Sequence, residues 1–382
     1  MASKNSLTIG IALLIVGLVI GLAMGYVISP KPSTSVAPTS TTPPVTKSSS
    51  AFNVGAAGTL KFAFGDLLNI YEQLYPSVTT GTPLFKGSGE VMSDENTTKI
   101  YSLVASADTT TIPRVLFPVN LTNYEIAFGS TQMVMLVNLN TTVGKEVYNL
   151  WLQTDNSSSS PYWKQIFQIL MQPGVVVGVS NPFTDPSGYQ AICVTKLAGL
   201  TYFGNSSLVY DTLYYYQGQE LNPSKIYMEN TEVDLVTLME SGKIDFILSA
   251  YLSNALPTHK AVTTIAYITL PPQINLGNLS MVNYYHSVNV TWSENGVTKT
   301  FQCNPVVYTA SIPYAAPNPQ AAINFMLLLF SPEGQKVLEN NGITPILPGV
   351  VYGNYASVPP QLKPFTVPLS DEPGLASIFP GE

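Results

Sequence analysis

Residues 179–189 read Val179-Ser180-Asn181-Pro182-Phe183-Thr184-Asp185-Pro186-Ser187-Gly188-Tyr189 and predict a strand, a turn and the start of a helix. The strand is expected over 175–179, where β-branched residues dominate, and the helix over 189–200. Asn181-Pro182 opens turns, Asp185 and Ser187 are N-cap residue types, and Pro186 suits a first helical position. Backbone N–H groups of a first helical turn carry positive partial charge. The stretch therefore predicts a seat for a small anion.

Alternating strand and helix patterns continue on both sides of this stretch. Strands are predicted over 60–64, 100–105, 244–248 and 261–270, and helices over 67–75, 232–241, 321–330 and 335–339. The apolar run 126–138 is long enough to cross between two lobes, and Glu294-Asn295-Gly296 predicts the turn of a hairpin. The alternation predicts an α/β fold with mostly parallel sheets.

Composition limits the class of protein. The 382 residues are too many for one compact core and suit two lobes behind an N-terminal segment. Only 10% of the residues are charged, and the formal net charge is −7. The first 50 residues hold three lysines and no acid, so the rest of the chain carries −10. No basic patch is present, which excludes nucleic-acid binding.

The low charge also indicates an environment. Few ion pairs can form, so we expect stability to depend little on pH, which suits an acidic exterior where carboxylates are partly protonated. A glycosylated surface protein, with no need of charge for solubility, is a compatible alternative. Seven Asn-x-Ser/Thr sequons support an outward-facing chain, and they begin at Asn96, Asn120, Asn140, Asn156, Asn205, Asn278 and Asn289.

The N-terminal segment predicts a membrane anchor. Residues 7–28 contain no charge, and 22 helical residues at about 1.5 Å each span the hydrocarbon core of a bilayer. Cleavage as a signal peptide at Ala23-Met24-Gly25 stays open. Residues 30–50 are rich in Ser, Thr and Pro, which predicts an extended stalk. We assign 1–29 to the anchor or signal segment and 30–55 to the stalk, and expect the bulk of the protein outside the cell.

The two cysteines, Cys193 and Cys303, lie far apart in the sequence. They form no Cys-x-x-Cys motif, and with His259 and His286 as the only histidines there is no zinc cluster. Outside the cell the cysteines could form one disulfide. Two separate buried thiols are the favoured prediction, because the pair falls in different predicted lobes.

Three turns share a pattern, since each follows a predicted strand and precedes a predicted helix. They are Phe64-Gly65-Asp66, Ala105-Ser106-Ala107-Asp108 and Asp185-Pro186-Ser187-Gly188. Ligands of open α/β sheets bind at the carboxyl ends of strands, so three helix N-termini could meet around one anion. The alternative is that each turn only caps its helix. No GxGxxG, P-loop or Gly-x-Ser-x-Gly motif is present, so we predict a binding protein without a cofactor rather than an enzyme.

The sequence around these turns resembles the archaeal molybdate/tungstate-binding proteins of ABC transporters. The resemblance lies in 180–189, in Val104-Ala105-Ser106-Ala107-Asp108 with Ile112-Pro113, and in Glu232-x-Asp234-Leu235 followed by 238–245. Ser331-Pro332-Glu333-Gly334-Gln335 fits solute-binding proteins broadly. The resemblance runs in order from about Thr59 to about Pro348.

The resemblance implies a two-lobed periplasmic-binding-protein-like fold of type II, with lobe 1 formed by 56–133 and 269–382 and lobe 2 by 134–268. The lobes are expected to close over an oxyanion about a hinge near 128–134 and 268–272, and to deliver it to a permease and an ATPase. The implied ligand-binding residues come from turns of both lobes: Gly65, Asp66, Ser106, Asp185, Pro186, Ser187, Glu232 and Tyr251.

Two of these residues, Asp185 and Glu232, are expected to approach the metal centre of the oxyanion. Molybdenum(VI) and tungsten(VI) are hard, electron-poor centres that accept further oxygen ligands. Sulfate and phosphate do so far less readily, and two facing carboxylates would repel them. The two acids therefore carry the expected specificity. Their structural alternatives are an N-cap for Asp185 and a solvated helix position for Glu232.

Three positions depart from the family. Asp66 stands where the family has Ser, Gln190 where it has Arg, and Ala250 where it has Tyr, with Tyr251 one position on. The charge of Asp66 motivates a second hypothesis, a protein of the same fold for phosphate, sulfate or an organic anion. The anchor, stalk and sequons motivate a third, a surface adhesion or filament subunit.

Overall fold

Two large β-sheets carry the fold, and the computed structural model describes residues 51–155, 157–216 and 219–381. The strands are β1 Val54–Ala57, β2 Leu84–Lys86, β3 Leu103–Ser106, β4 Tyr124–Thr131, β5 Met133–Asn138, β6 Val177–Ser180, β7 Tyr215–Tyr216, β8 Gln219–Glu220, β9 Ile226–Glu229, β10 Phe246–Tyr251, β11 Ile265–Thr269, β12 Asn289–Glu294, β13 Val297–Gln302, β14 Val306–Ser311, β15 Thr344–Gly353 and β16 Thr366–Pro368. The sheet of lobe 1 has the order β16-β15-β4-β14-β3-β1-β2, and that of lobe 2 the order β11-β5-β10-β6-β9.

Helices connect and cover the strands. The α-helices of the described residues are α1 Lys61–Leu74, α2 Ser88–Thr98, α3 Thr111–Leu116, α4 Thr142–Leu152, α5 Tyr162–Leu170, α6 Pro186–Phe203, α7 Ser206–Tyr214, α8 Glu232–Glu240, α9 Leu252–Ala261, α10 Val282–Tyr285, α11 Pro319–Phe330 and α12 Pro332–Asn340. A short 3₁₀ turn, Gly58–Leu60, joins β1 to α1. The predicted α/β class is therefore confirmed. The names lobe 1 and lobe 2 are used for the residues grouped around each of the two large sheets.

The prediction of mostly parallel sheets is only partly right, because both sheets are mixed. Strand β1 runs parallel to β2 and β3, and β6 runs parallel to β9 and β10. Every antiparallel pair of the two large sheets, within the described residues, involves β4, β5 or β14. These three strands lie next to the connections between the sheets. A parallel neighbour requires a crossover connection, usually a helix, and these connections contain none that leads back into the same sheet.

The chain crosses between the sheets twice. Only Gln132 separates β4 of lobe 1 from β5 of lobe 2, so the apolar run 126–138 does cross as predicted. The return connection runs from β11 to β14 and includes the β12–β13 hairpin at Glu294-Asn295-Gly296, also as predicted. Asn275 Nδ2 donates to Gln132 Oε1 at 2.7 Å, which holds the two connections side by side.

The predicted strand over 60–64 is wrong. The first strand is β1, which takes in Val54 and Gly55 at the predicted end of the stalk, and α1 starts at Lys61. The helix that the sequence predicts from Leu67 begins earlier, at Lys61. The buried side chains on its inner face are Ala63, Phe64, Leu67, Leu68 and Tyr71. Gly65 therefore lies inside a helix and not in a turn.

The prediction of two separate thiols is also wrong, since Cys193 and Cys303 form a disulfide with a Cα–Cα distance of 5.7 Å. The physical reason is the place of the β12–β13 hairpin, which packs against α6 of lobe 2. Lys196 Nζ donates to Asn289 O at 2.8 Å across the same contact.

The predicted anchor over 7–28 and most of the stalk lie outside the described residues. Among the residues that the structure describes, no helix has the length and apolar character to cross a membrane.

Candidate functional site

The N-terminus of α6 forms the centre of the candidate site. Strand β6 ends at Ser180, and Asp185 caps α6 with Oδ1 accepting from Ser187 N at 2.9 Å. Pro186 occupies the first turn, as the sequence predicts. A Cβ atom on Gly188 would lie 2.3 Å from Ser180 O, so only glycine lets the helix start so close to its strand. Most of α6 is buried, including its whole first turn, which fixes the position of this turn.

Asp185 and Glu232 meet although 47 residues separate them. Asp185 Oδ2 accepts a hydrogen bond from Glu232 N at 3.1 Å, which joins the N-termini of α6 and α8. Both side chains are buried, and Glu232 Oε1 has no hydrogen-bond partner. Burial, followed by the charge of Asp185, raises the pKa of Glu232 well above its ordinary value. The solvated position considered for Glu232 is therefore excluded, whereas the N-cap role of Asp185 is real and coexists with the contact to Glu232.

Lobe 1 contributes the turn after β3. Ser106 is buried at the end of β3, and its hydroxyl donates to Asp108 Oδ1 at 3.0 Å. Asp108 in turn caps α3 by accepting from Thr111 N at 2.8 Å. Tyr189 of α6 donates from its hydroxyl to Asp108 Oδ2 at 3.0 Å. The Ser106 turn of lobe 1 is thus hydrogen-bonded to the first turns of α6 in lobe 2.

Tyr251, at the end of β10, belongs to the same cluster. Its hydroxyl donates to Gln190 Oε1 of α6, and its ring packs edge-on against Tyr308 of β14 with centroids 6.4 Å apart. Burial, followed by the charges of Asp185 and then Tyr308, raises the pKa of Tyr251 well above its usual range. Tyr251 therefore remains a neutral phenol that can donate a hydrogen bond.

Gly65 and Asp66 do not join the other predicted residues. Both lie in α1, and Asp66 is exposed and accepts from Asn341 Nδ2 at 3.1 Å. The turn that does follow the first strand contains Gly58 and Thr59. Thr59 is buried, and its turn contacts α8 and α9 of lobe 2. Thr59 Oγ1 lies close enough to the Tyr308 hydroxyl to offset part of the raised pKa there, but no hydrogen bond of normal geometry forms.

Sequence reasoning misses Thr59 because the pattern predicts the first strand at residue 60, whereas the strand begins at Val54. The available signal is the short apolar run before Gly58-Thr59, but the apolar run that begins at Leu60 predicts the first strand instead. Sequence reasoning also misses Gly87-Ser88-Gly89 at the start of α2. Ser88 Oγ accepts from Ala107 N at 3.0 Å and so supports the Ser106 turn.

The two lobes touch at Gly87. A Cβ atom there would lie 2.2 Å from Thr184 O and 3.2 Å from Asp185 Cβ. Gly89 N donates to Thr184 O at 3.1 Å. Glycine at 87 therefore permits the backbone of lobe 1 to approach the turn that carries Asp185.

The donors in this cluster are hydroxyl and amide groups, which suit an oxyanion. Within the described residues, no three His, Cys, Asp or Glu side chains form a cluster that could hold a metal ion. Asp185 and Glu232 are thus a pair of acids without a resident metal cluster around them.

Comparison with known proteins identifies the family. Residues 52–344 match the family model described as bacterial extracellular solute-binding protein. The chain belongs to this family. The solute-binding protein is 30% identical over 328 residues to the molybdate/tungstate-binding protein WtpA of Thermococcus kodakarensis, which covers 80% of this chain and 84% of the relative. The family resemblance inferred from the turns is confirmed.

Solved structures share the fold of this solute-binding protein. The periplasmic molybdate-binding protein of Azotobacter vinelandii superposes with a TM-score of 0.51 at 16% identity, covering 77% of this chain and 98% of that one. The sulfate-binding protein SubI of Mycobacterium tuberculosis gives 0.52 at 13% identity, covering 86% and 98%. At these identities the likeness concerns the fold alone. Proteins of the family bind solutes and in general catalyse no reaction.

Proposed function

We propose that this solute-binding protein captures molybdate or tungstate between its two lobes and delivers it to the permease and ATPase of an ABC transporter. The observation that carries the proposal is the buried contact between Asp185 and Glu232 at the junction of the lobes. The archaeal relative named as a molybdate/tungstate-binding protein supports the same ligands. The oxyanion is cargo and not a cofactor.

The chemistry of the ligand explains why two acids suit it. Two buried carboxyl groups repel a dianion such as sulfate, whose central atom takes no further ligands, whereas Mo(VI) and W(VI) accept carboxylate oxygens as additional ligands. The oxo groups would then receive hydrogen bonds from neutral donors of both lobes. Our proposed donors are the hydroxyls of Ser106 and Ser187 and, in place of the Gly65-Asp66 turn, Thr59 with Gly58. Pro186 shapes the turn that carries Ser187, and Tyr251 lies behind it.

Isothermal titration of the purified full-length chain with sodium tungstate and sodium molybdate tests the proposal. We expect tight binding that Asp185→Asn and Glu232→Gln each weaken by about 100-fold or more, because each replaces an anionic carboxylate ligand of the metal by a weaker, neutral amide. The amide introduced at position 185 can still cap α6, so the first variant keeps the fold. The matched control is Asp66→Asn, an acid-to-amide change on exposed α1, which should bind as the parent does. No binding heat from either oxyanion would refute the proposal.

A second candidate ligand is sulfate or phosphate, and one observation favours it. Burial and the charge of Asp185 raise the pKa of Glu232 well above its ordinary value, and in its protonated form this carboxyl can donate to an oxyanion oxygen. A thermal-shift panel that ranks sulfate or phosphate above tungstate would favour this ligand. The adhesion or filament hypothesis would require ordered self-assembly, and membership of a solute-binding family argues against it.

The family is one of extracellular proteins, so the protein is exported. We propose that residues 7–28 anchor it in the membrane with the described residues outside. Five sequon asparagines are exposed and could carry glycans: Asn96, Asn120, Asn140, Asn205 and Asn289. Retention of the full-length protein in washed membranes, and release of a variant lacking residues 1–29, would test the anchor.

A further inference from the structure

Gln190 lies at the junction of the two lobes, beside the acid pair. It follows Tyr189 in α6, and its side chain is 1% exposed. Its Oε1 accepts the hydroxyl of Tyr251, whose surroundings include the charges of Asp185 and Glu232. Gln190 is therefore part of the cluster that the proposed oxyanion would enter.

The amide nitrogen of Gln190 is a buried donor without an acceptor. Its Nε2 has no hydrogen-bond partner, although it lies near enough to the Tyr189 hydroxyl to offset part of that phenol's raised pKa. A buried N–H group that lacks an acceptor costs about 1–3 kcal/mol. Thr59 Oγ1 and Glu232 Oε1 are likewise buried without partners. Three unpartnered polar atoms in one cluster indicate a polar ligand that satisfies them together.

The charges around the acid pair explain why a neutral donor such as the Gln190 amide matters for anion binding. The groups that shift the pKa of Glu232 and of Tyr251 are carboxyl and phenol groups, with no lysine or arginine among them. Arg114, by contrast, acts on Tyr189, the residue before Gln190. Beside the acid pair itself, the attraction to the oxygens of a bound anion is therefore expected from hydrogen bonds of neutral donors.

We propose that Gln190 is a ligand-binding residue whose Nε2 donates a hydrogen bond to an oxygen of the bound oxyanion, while Tyr251 is the positioning residue that holds the amide. This inference rests on the proposed function. Tyr251 fixes the carbonyl end of the amide, which leaves the nitrogen as the end available to the ligand. In this arrangement Tyr251 acts through Gln190.

Isothermal titration with sodium tungstate tests the inference on the full-length chain. Gln190→Met keeps the length of the side chain and removes the donor, and we expect tungstate affinity to fall about 10- to 100-fold. Tyr251→Phe frees the amide and should cost about 3- to 10-fold. In the Gln190→Met background Tyr251→Phe should cost nothing more, because the residue it positions is gone. An equal loss in both backgrounds would overturn the positioning role.

Gln190→Glu distinguishes a donor role from a purely structural one, because only a donor role predicts a pH-dependent affinity for this variant relative to the parent. In this variant an ionised carboxylate at position 190 offers only acceptors and repels the oxyanion, whereas the protonated carboxyl donates as the amide does. The affinity of this variant relative to the parent should therefore recover as the pH falls. The charged and titratable groups around this part of α6 are common to both proteins, so the ratio reports the titration at position 190. These groups include Asp108, Arg114, Asp185, Tyr189, Glu232 and Tyr251. A constant ratio across pH would contradict the donor role.

The control is Gln335→Met in α12, where Nε2 donates to Phe330 O at 2.9 Å away from the cluster, and its tungstate affinity should match the parent's. If the parent itself binds neither tungstate nor molybdate, the proposed function fails. If the parent binds tungstate and Gln190→Met binds it within about twofold, only this inference fails, since a hydrogen bond to a charged group is worth at least about tenfold.

Discussion

At the scale of single residues, Glu232 carries the most information. It is buried, its carboxyl group lies against Asp185, and Oε1 has no partner. These features raise its pKa well above the ordinary carboxyl value, so the free protein keeps a proton on Glu232 to a higher pH than a solvated glutamate does. A carboxyl group that coordinates a metal must give up that proton. Under the proposed function, ligand binding and proton release are therefore coupled at this residue.

We predict that tungstate affinity rises with pH. While Glu232 is protonated in the free protein, each binding event releases one proton, so affinity should increase by about tenfold per pH unit and level off above the pKa of Glu232. Titration calorimetry in buffers of different ionisation enthalpy measures both the affinity and the released proton. Glu232→Gln should abolish the proton release. Affinity that falls with pH would mean that Glu232 keeps its proton and donates it to the ligand, as a sulfate site would require.

Glu95 in α2 makes the stability depend on pH, contrary to the expectation from composition. Its Oε2 accepts from Tyr101 N at 3.0 Å, while Oε1 is buried without a partner. Burial is the main cause that raises the pKa of Glu95 to about 7. The folded state thus binds this proton more tightly than the unfolded state, whose pKa is about 4.3. The stabilisation is complete below about pH 4.3 and is lost as the pH rises through about 7.

We predict that Glu95→Gln, which mimics the protonated side chain, removes this loss. Urea unfolding at pH 5 and pH 8 should show the parent losing on the order of 2 kcal/mol more than the variant. Glu125 and Glu232 also have pKa values raised by burial, but they are present in both proteins and cancel in the comparison. Equal losses in the two proteins would contradict the assignment to Glu95.

At the scale of elements, the two lobes are in contact where the start of α2 packs against the start of α6. Gly87 of lobe 1 faces the carbonyl of Thr184 in lobe 2, at a place where a Cβ atom would lie 2.2 Å from that oxygen. The atoms that such a Cβ would meet belong to the backbone of Thr184 and to the Cβ of Asp185. None of them lies at the end of a flexible side chain that could move aside. The close approach of these two turns therefore depends on a glycine at this position.

We predict that Gly87→Ala weakens tungstate binding by more than about tenfold, because the added methyl group keeps the closed lobes apart. Calorimetry measures the affinity, and small-angle scattering with saturating tungstate measures the remaining opening. The matched control is Gly65→Ala in α1, where a Cβ atom meets nothing within 4 Å. That variant should bind normally and gain about 0.5–1 kcal/mol of stability from better helix propensity. Weaker binding in Gly65→Ala would indicate that Gly65 contributes to the binding site after all.

At the scale of the whole molecule, covalent and apolar contacts replace ion pairs. Among the described residues one ion pair lies within 4.0 Å, between the exposed side chains of Lys86 and Glu90, and such a pair contributes little. The Cys193–Cys303 disulfide closes a loop of 110 residues and ties the β12–β13 hairpin to α6. The connection between the lobes is therefore linked covalently to the helix that carries Asp185.

We predict that removing the disulfide by Cys193→Ala with Cys303→Ala lowers the free energy of unfolding by about 2–4 kcal/mol, since the loop gains freedom mainly in the unfolded state. Urea unfolding measures the change. Unfolding of the parent protein in the presence of a reductant provides a second measurement that needs no variant to fold. A parent protein whose unfolding midpoint is insensitive to reductant would contradict the prediction.

Local structure around the site could be predicted because its determinants are adjacent in the chain. Asp185, Pro186 and Gly188 specify a capped helix start after a strand through N-cap chemistry, fixed φ and close packing. The Asn295-Gly296 hairpin follows from turn chemistry in the same way. The family resemblance used such local motifs, and the residues that it singled out, Ser106, Asp185 and Glu232, do lie at a strand end or a helix start.

The order of residues along the chain is thus enough to specify the α/β class, the strand–turn–helix at Asp185, the start of α8 at Glu232 and the family. The three-dimensional arrangement was needed to show that Thr59 and not Gly65 follows the first strand, that Cys193 pairs with Cys303, and that Gln190 meets Tyr251. Capping and turn formation depend on neighbouring residues, whereas these pairings depend on how two sheets place distant segments. No periodicity within one segment specifies that placement.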